Sequence, residues 1–268
     1  MTRERLRNMQ LTSPHGTRER IMAMGPAGVG KSRGLLSIAK RCPGNTFHIV
    51  DNDDAIGRML EGETFHELGN VVAYVIDDFA EHIDVVTKLN ETISADDWLV
   101  VDILSPTWDM CQQDFIERIF AKDIDEYFLE VRRQKADAGK DKKALGALEG
   151  LMDWPVINKM YARFRKLLRQ TPGHLYVTAE VTQVGGFADR AIEDRDIKAM
   201  FGPYGVKPVG QKRMPHIFQT ILYLTKTKVG EYFVTTIKDR ERQELDEEPL
   251  NDLAVDYLAK VAGWTMQR

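Results

Sequence analysis

The chain has 268 residues, 43% hydrophobic and 29% charged, with a formal net charge of −4, enough apolar material for the full core of one large α/β domain. Its two cysteines, Cys42 and Cys111, are far apart with no Cys/His cluster beside them, which argues against structural zinc and for reduced thiols in a cytoplasmic compartment. No apolar segment approaches the length of a membrane span, and Met1 to Gln10 is too charged for an export signal, so no membrane partner is expected.

Residues 1–20 read as a basic tail, and 21–268 as a single domain. Ile21-Met22-Ala23-Met24 is the short apolar run of a buried strand. It leads straight into Gly25-Pro26-Ala27-Gly28-Val29-Gly30-Lys31-Ser32, a G-x-x-x-x-G-K-S sequence, followed by Arg33. Glycines at this spacing let the backbone curl until successive N–H groups converge on phosphates, and a helix beginning near Lys31 adds the positive end of its dipole. Gly25 to Arg33 is therefore the expected cradle for a nucleoside triphosphate, with Lys31 reaching the β/γ-phosphates and Ser32 ligating Mg²⁺. The bland alternative is a glycine-rich turn with no ligand.

Ser32 to Arg41 reads as the helix after this loop, stopped by Cys42-Pro43-Gly44, and Phe47 to Val50 as the next strand. Val71 to Ile76 is a third strand, followed by a helix whose Phe79, Ile83, Val86 and Leu89 share one face. Trp98 to Asp102 is a fourth strand and ends in an acid. Strands this apolar, separated by helices, predict a parallel sheet buried on both faces.

An acid ending such a strand places a carboxylate on the Mg²⁺ of a phosphate-loop protein, or on its bound water, so Asp102 is the expected metal partner. AAA+ ATPases put a water-activating glutamate directly after that aspartate; here Ile103 follows, so the base must come from elsewhere. The strand after the loop helix runs out as Val50-Asp51-Asn52-Asp53. Asp53 is the candidate to orient attacking water, with a helix-capping role for Asp53 or Asp54 as the alternative.

Between Val131 and Gln170, eleven Lys or Arg face four Asp or Glu, a local +7 that leaves −11 for the rest of the chain. Such a stretch suits an anionic partner such as nucleic acid, or is a solvated helix surface. Within it, 131–155 reads as a mobile insertion, its Lys135 to Gly150 part a mobile loop or a frayed helix, and Asp153 with Pro155 as a helix start, with Ile157, Met160, Tyr161, Phe164, Leu167 and Leu168 on its buried face. Leu175 to Ala179 returns to the sheet, 182–210 is glycine-punctuated and loop-like, and Ile217 to Leu224 with Tyr232 to Ile237 predicts a terminal antiparallel hairpin.

Taken together, the loop, Asp102 and Asp51-Asn52-Asp53 resemble the RecA/RadA recombinase family, in particular its short phage-encoded single-strand annealing ATPases. Lys207-Pro208-Val209-Gly210, His216, Ile221-Leu222-Tyr223-Leu224 and Thr236-Ile237-Lys238-Asp239 are similar to that family's C-terminal segments, and Gln183-Val184-Gly185-Gly186 with Ala199-Met200-Phe201 to its second DNA-binding loop. The resemblance spans roughly Ile21 to Asp239. It implies an α/β, RecA-like phosphate-loop core with a mostly parallel central sheet, flanking helices and a C-terminal antiparallel hairpin. It further implies an ATPase using ATP and Mg²⁺ and a homo-oligomeric ring or filament on single-stranded DNA, with a single-strand binding protein as a further partner. The host cytoplasm follows if the chain is phage-encoded.

By this resemblance, Lys31, Asp53 and Asp102 carry catalysis, with Glu180 at the position of a polar sensor; an acid there repels phosphate unless protonated or paired. Lys207, Lys212 and Arg213 stand where a neighbouring subunit's basic groups approach the γ-phosphate, with ordinary surface charge or DNA backbone contact as the alternative. Arg190, Arg195, Lys198 and Phe201 are the DNA-binding candidates of the 182–210 loop, through phosphate contacts and base stacking, unless the aromatics are core. The competing function is a phosphate-loop switch or assembly ATPase acting on a protein partner, such as a phage packaging, defence or replication factor. A small-molecule kinase is a weaker third, because the chain has no lid rich in paired arginines.

Overall fold

Arg20–Met24 (β2) has five residues and four fully buried side chains, so it can only be a central strand, and it is one. A computed structural model describes residues 10–14, 16–137, 153–185, 195–240 and 242–267. Five more apolar or mixed runs lie parallel to β2 in one eight-stranded sheet: Phe47–Asp51 (β3), Val71–Val75 (β4), Trp98–Asp102 (β5), His174–Ala179 (β6) and Thr220–Lys226 (β9). Tyr232–Lys238 (β10) and Glu248–Pro249 (β11) complete it antiparallel, in the order β11-β10-β9-β2-β6-β5-β3-β4. This is the expected α/β class, mostly parallel with a C-terminal antiparallel hairpin, its turn passing through Gly230 at φ 91°.

Alternation along β2 sends Met22 and Met24 to one face and Ile21 and Ala23 to the other, and both faces are dry. Helices Phe79–Thr92 (α3), Ser105–Phe120 (α4) and Asp153–Gln170 (α6) cover the first through Phe79, Val86, Phe115, Ile157, Tyr161, Phe164 and Leu168. Helices Lys31–Arg41 (α1) and Ala55–Leu60 (α2), with the C-terminal π-helical turn Ala254–Ala259, cover the second. Asn52 and Thr46 tie neighbouring strand ends together, Asn52 by its N–H to the Asp102 carbonyl at 2.7 Å and Thr46 through its carbonyl to the Trp98 N–H at 2.8 Å.

Three expectations change. The strand at 71–76 sits on the sheet's edge, so it is not buried on both faces; Val72 and Val75 are exposed. Part of the supposed 1–20 tail belongs to the fold: Gln10–Thr12 (β1) pairs antiparallel with Thr265–Gln267 (β12), and Glu19 is fully buried. The 182–210 stretch is not all loop, because Val181–Gln183 (β7) pairs with Val206–Pro208 (β8) and Arg195–Phe201 (α7) lies between them. Of the 131–155 insertion, Ile124–Asp137 (α5) and the start of α6 are helical, and 138–152 lies outside the described residues. Among the described residues, no helix is long and apolar enough to cross a membrane.

Candidate functional site

Parallel strands end in loops at their carboxyl edge, and that edge of the sheet gathers the predicted site. The loop after β2 turns back through two left-handed glycines, Gly28 at φ 76° and Gly30 at φ 91°, before α1 begins at Lys31. Gly25 is required for a different reason. A Cβ there would stand 2.4 Å from the Leu224 carbonyl oxygen of β9, so the loop hugs the neighbouring strand where no side chain fits. Gly28 has open space around its would-be Cβ, so the loop's concave side is free at that point.

Lys31 is buried at the mouth of this loop, and its ammonium donates to the carbonyls of Gly25 and Pro26, both at 2.9 Å. Its pKa is lowered, first by desolvation, while Asp102, Glu180 and Asp53 in that order oppose the shift. All three predicted acids therefore face the lysine. The Tyr176 hydroxyl donates to the Lys31 carbonyl at 3.2 Å, pinning the first turn of α1 to β6.

Asp102 ends β5 and lies opposite Asp51 at the end of β3. It is buried, and one oxygen accepts from the Thr178 hydroxyl of β6. Its pKa is raised, mainly by desolvation and further by Asp51, against hydrogen bonds from Thr178 and Ser32 and the charge of Lys31. The other oxygen, Oδ2, is buried without a hydrogen-bond partner. A lone buried carboxylate oxygen beside a serine hydroxyl is a donor set that suits Mg²⁺, which takes few protein ligands and keeps waters and phosphate oxygens. The residues present fit that ion, with Ser32 and Asp102 as the groups to hold it. The Asp102–Ile103 peptide is cis.

Asp51 is fully buried and accepts from the N–H groups of Asp53 at 3.3 Å and Ile56 at 3.0 Å. Asp51 caps α2 at Ile56, the Ala55 N–H bonds to Asp53, and Asp54 sits at the cap position in the left-handed region with no side-chain capping bond. Asp53 itself is exposed, and its carboxylate is engaged by Asp51 and by the Ala55 N–H. Its pKa is pushed up to about 6, first by desolvation, then by a hydrogen bond to Asp51 and the charges of Asp102 and Asp51.

Glu180 leaves β6 exposed, its N–H donating to Ser105 Oγ at 3.0 Å and its carbonyl accepting from Val209 at 2.9 Å. Its charge acts on Lys31, whose pKa it raises. Thr178, Asn52 and Ser105 were missed by sequence reasoning. Asn52 donates from Nδ2 to the Ile103 carbonyl at 2.6 Å, clipping the two acid-bearing strand ends together. The available signal was a threonine in the otherwise apolar run Leu175 to Ala179.

The outlying candidates fare differently. Phe201, the last residue of α7, is fully buried in the core, so it offers no face for stacking a base. Lys207 is also buried, on β8, which does not offer its ammonium to a neighbouring subunit. Lys212, Arg213, Arg195 and Lys198 are exposed, and Arg190 lies outside the described residues. Both cysteines are buried free thiols, each pushed up to about 12 by burial.

No model of a known protein family and no curated protein sequence matches the chain. Among solved structures it is similar to the RadB recombinase, with 16% sequence identity over 84% of this chain and 83% of that one and a TM-score of 0.47.

Proposed function

We propose that the chain is a Mg²⁺-dependent ATPase of RecA/RadA type that binds single-stranded DNA and promotes recombination or strand annealing. The observation that carries the nucleotide part is the convergence of Lys31, Ser32 and the unpartnered Asp102 Oδ2 at the carboxyl edge of the sheet. Bound Mg²⁺ would supply charge neutralisation for the phosphates. In this reading the loop N–H groups and Lys31 bind and orient the triphosphate, and Asp53, ionised above about pH 6, holds the attacking water and takes its proton. Thr178 and Asn52 act through Asp102 and the strand ends as positioning residues.

Lys212 and Arg213 are exposed as a role toward a neighbouring subunit's nucleotide requires, which fits a site completed by assembly into a ring or filament. A second reading, a switch or assembly ATPase acting on a protein partner, is favoured by one observation: burial of Phe201 removes a stacking group from the DNA loop. ATP turnover with and without single-stranded DNA separates the two. Stimulation by DNA supports the first reading; turnover indifferent to DNA, with no DNA binding at low salt, supports the second.

A further inference from the structure

Opposite the nucleotide edge, at the amino ends of β2 and β9, two adjoining cavities of about 600 and 560 Å³ share Arg20, Gln219 and Arg240. Arg165, Arg169, Arg213 and His216 line the first, and Arg18 extends the second. Six arginines from four separate stretches of chain therefore converge on these two adjoining cavities. Arg242 also borders the second, but that guanidinium is engaged by the buried Glu19 through two bonds of 2.8 Å. Among the described residues, none of the six lies within ion-pair distance of a carboxylate. Asp196 and Asp239 are the acids of the lining, and Asp239 already accepts from Tyr257 at 2.6 Å and Thr220 at 3.2 Å.

Unneutralised like charges repel, and this repulsion is felt on the floor of the hollow. Arg20 has its pKa lowered by desolvation and then by Arg18 and Arg169; Arg165 has its lowered by desolvation and then by Arg213 and Arg169. Arg20 is held in place against it by donating to the Leu168 carbonyl at 3.1 Å. A fold keeps such a cluster where an anion relieves it. Six guanidiniums exceed the charge of one small anion, and they are spread over two adjoining cavities, so a repeating anion fits better than a single phosphate. Among the described residues its apolar lining is Ile217 and the buried Phe218, so the hollow offers charge to phosphates far more than apolar surface to bases.

We propose that this arginine-lined hollow holds the phosphodiester backbone of single-stranded nucleic acid, away from the 182–210 loop and without reading bases. This deepens the DNA part of the function above and rests on it. Each phosphate neutralised on a single strand contributes about 0.7 to the slope of log affinity against log salt.

The test uses the full chain and fluorescein-labelled oligo(dT), titrated by anisotropy over a salt series with ATP and Mg²⁺ present. The triple variant Arg165→Gln, Arg169→Gln, Arg240→Gln should bind on the order of a hundredfold more weakly at low salt and flatten the slope by about two units. The corresponding triple lysine variant should keep most of the slope. ATP affinity should match wild type in both, which also shows that they fold. Unchanged oligo(dT) affinity and slope in the glutamine variant, with wild type binding, overturns the hollow and leaves the DNA reading standing. An altered oligomeric state with DNA binding intact means that an acidic segment of a second copy occupies it, and overturns the proposal. Failure of wild type to bind oligo(dT) sinks both the proposal and the DNA reading, while ATP binding remains a separate measurement.

Discussion

At the scale of single residues, the proposed nucleotide site rests first on Lys31. Lys31→Ala removes charge and little packing, so the protein should stay folded while ATP affinity or turnover falls by on the order of a hundredfold or more, read by nucleotide titration and phosphate release. Wild-type turnover in a folded Lys31→Ala protein would end the phosphate-loop reading. Asp53 makes a sharper claim because its carboxyl is pushed up to about 6. The charged form is needed to accept a proton, so turnover should decline as pH drops through about 6, and Asp53→Asn should bind ATP normally yet turn over slowly, without that acid limb. A slow variant that keeps the limb would assign the titration to Asp51 or Asp102 instead.

At the scale of elements, the phosphate loop depends on how closely β2 lies against β9. Gly25→Ala would force a methyl to within 2.4 Å of the Leu224 carbonyl, and backbone cannot swing aside as a side-chain tip does. Overpacking of this kind costs about 1–3 kcal/mol, and here the displaced element is the loop itself, so ATP affinity should fall together with melting temperature. The run before β2 has a comparable dependence. Glu19 is fully buried and paired with Arg242, with Trp264 Nε1 donating to it at 3.2 Å. Arg242→Ala strands that carboxylate and should cost about 3–5 kcal/mol in denaturant unfolding, whereas replacing Glu19 and Arg242 together should recover part of the loss.

For the whole molecule, pH enters through the core. His82 is fully buried on α3 against Phe164, with ring centroids 4.6 Å apart and no hydrogen-bond partner for either nitrogen. Burial lowers its pKa from 6.5 to about 3. The unfolded chain takes up the proton near pH 6.5 and the native state does not, so this histidine favours folding above 6.5 and erodes stability as pH falls from there toward 3. The loss is about 1.4 kcal/mol per pH unit, and His82→Leu should narrow its stability gap to wild type by that gradient on acidification. Assembly is also a property of the whole: if a neighbour completes the site, turnover should rise faster than linearly with protein concentration, and a dilute monomer with full specific activity would refute that.

Local pattern was enough for the strands β2, β3, β5 and β6, for the helices α1, α3 and α6, and for the glycine turn between β2 and α1. Each of these is written in contiguous residues, since a buried strand must be apolar and a phosphate loop must have its glycines in series. Position across the sheet was not legible, because edge and centre differ only in what lies alongside: Val71–Val75 looks central in sequence and stands at the edge. Nor was the division of labour in Asp51-Asn52-Asp53, where the first acid is buried as a cap and the third stays exposed with its carboxyl pushed up to about 6. Tertiary structure alone withdrew Phe201 into the core and brought Arg18, Arg20, Arg165, Arg169, Arg213 and Arg240 around one hollow. Charges far apart along a chain carry no local mark of meeting; their convergence depends on where the sheet's strands begin and where α6 ends.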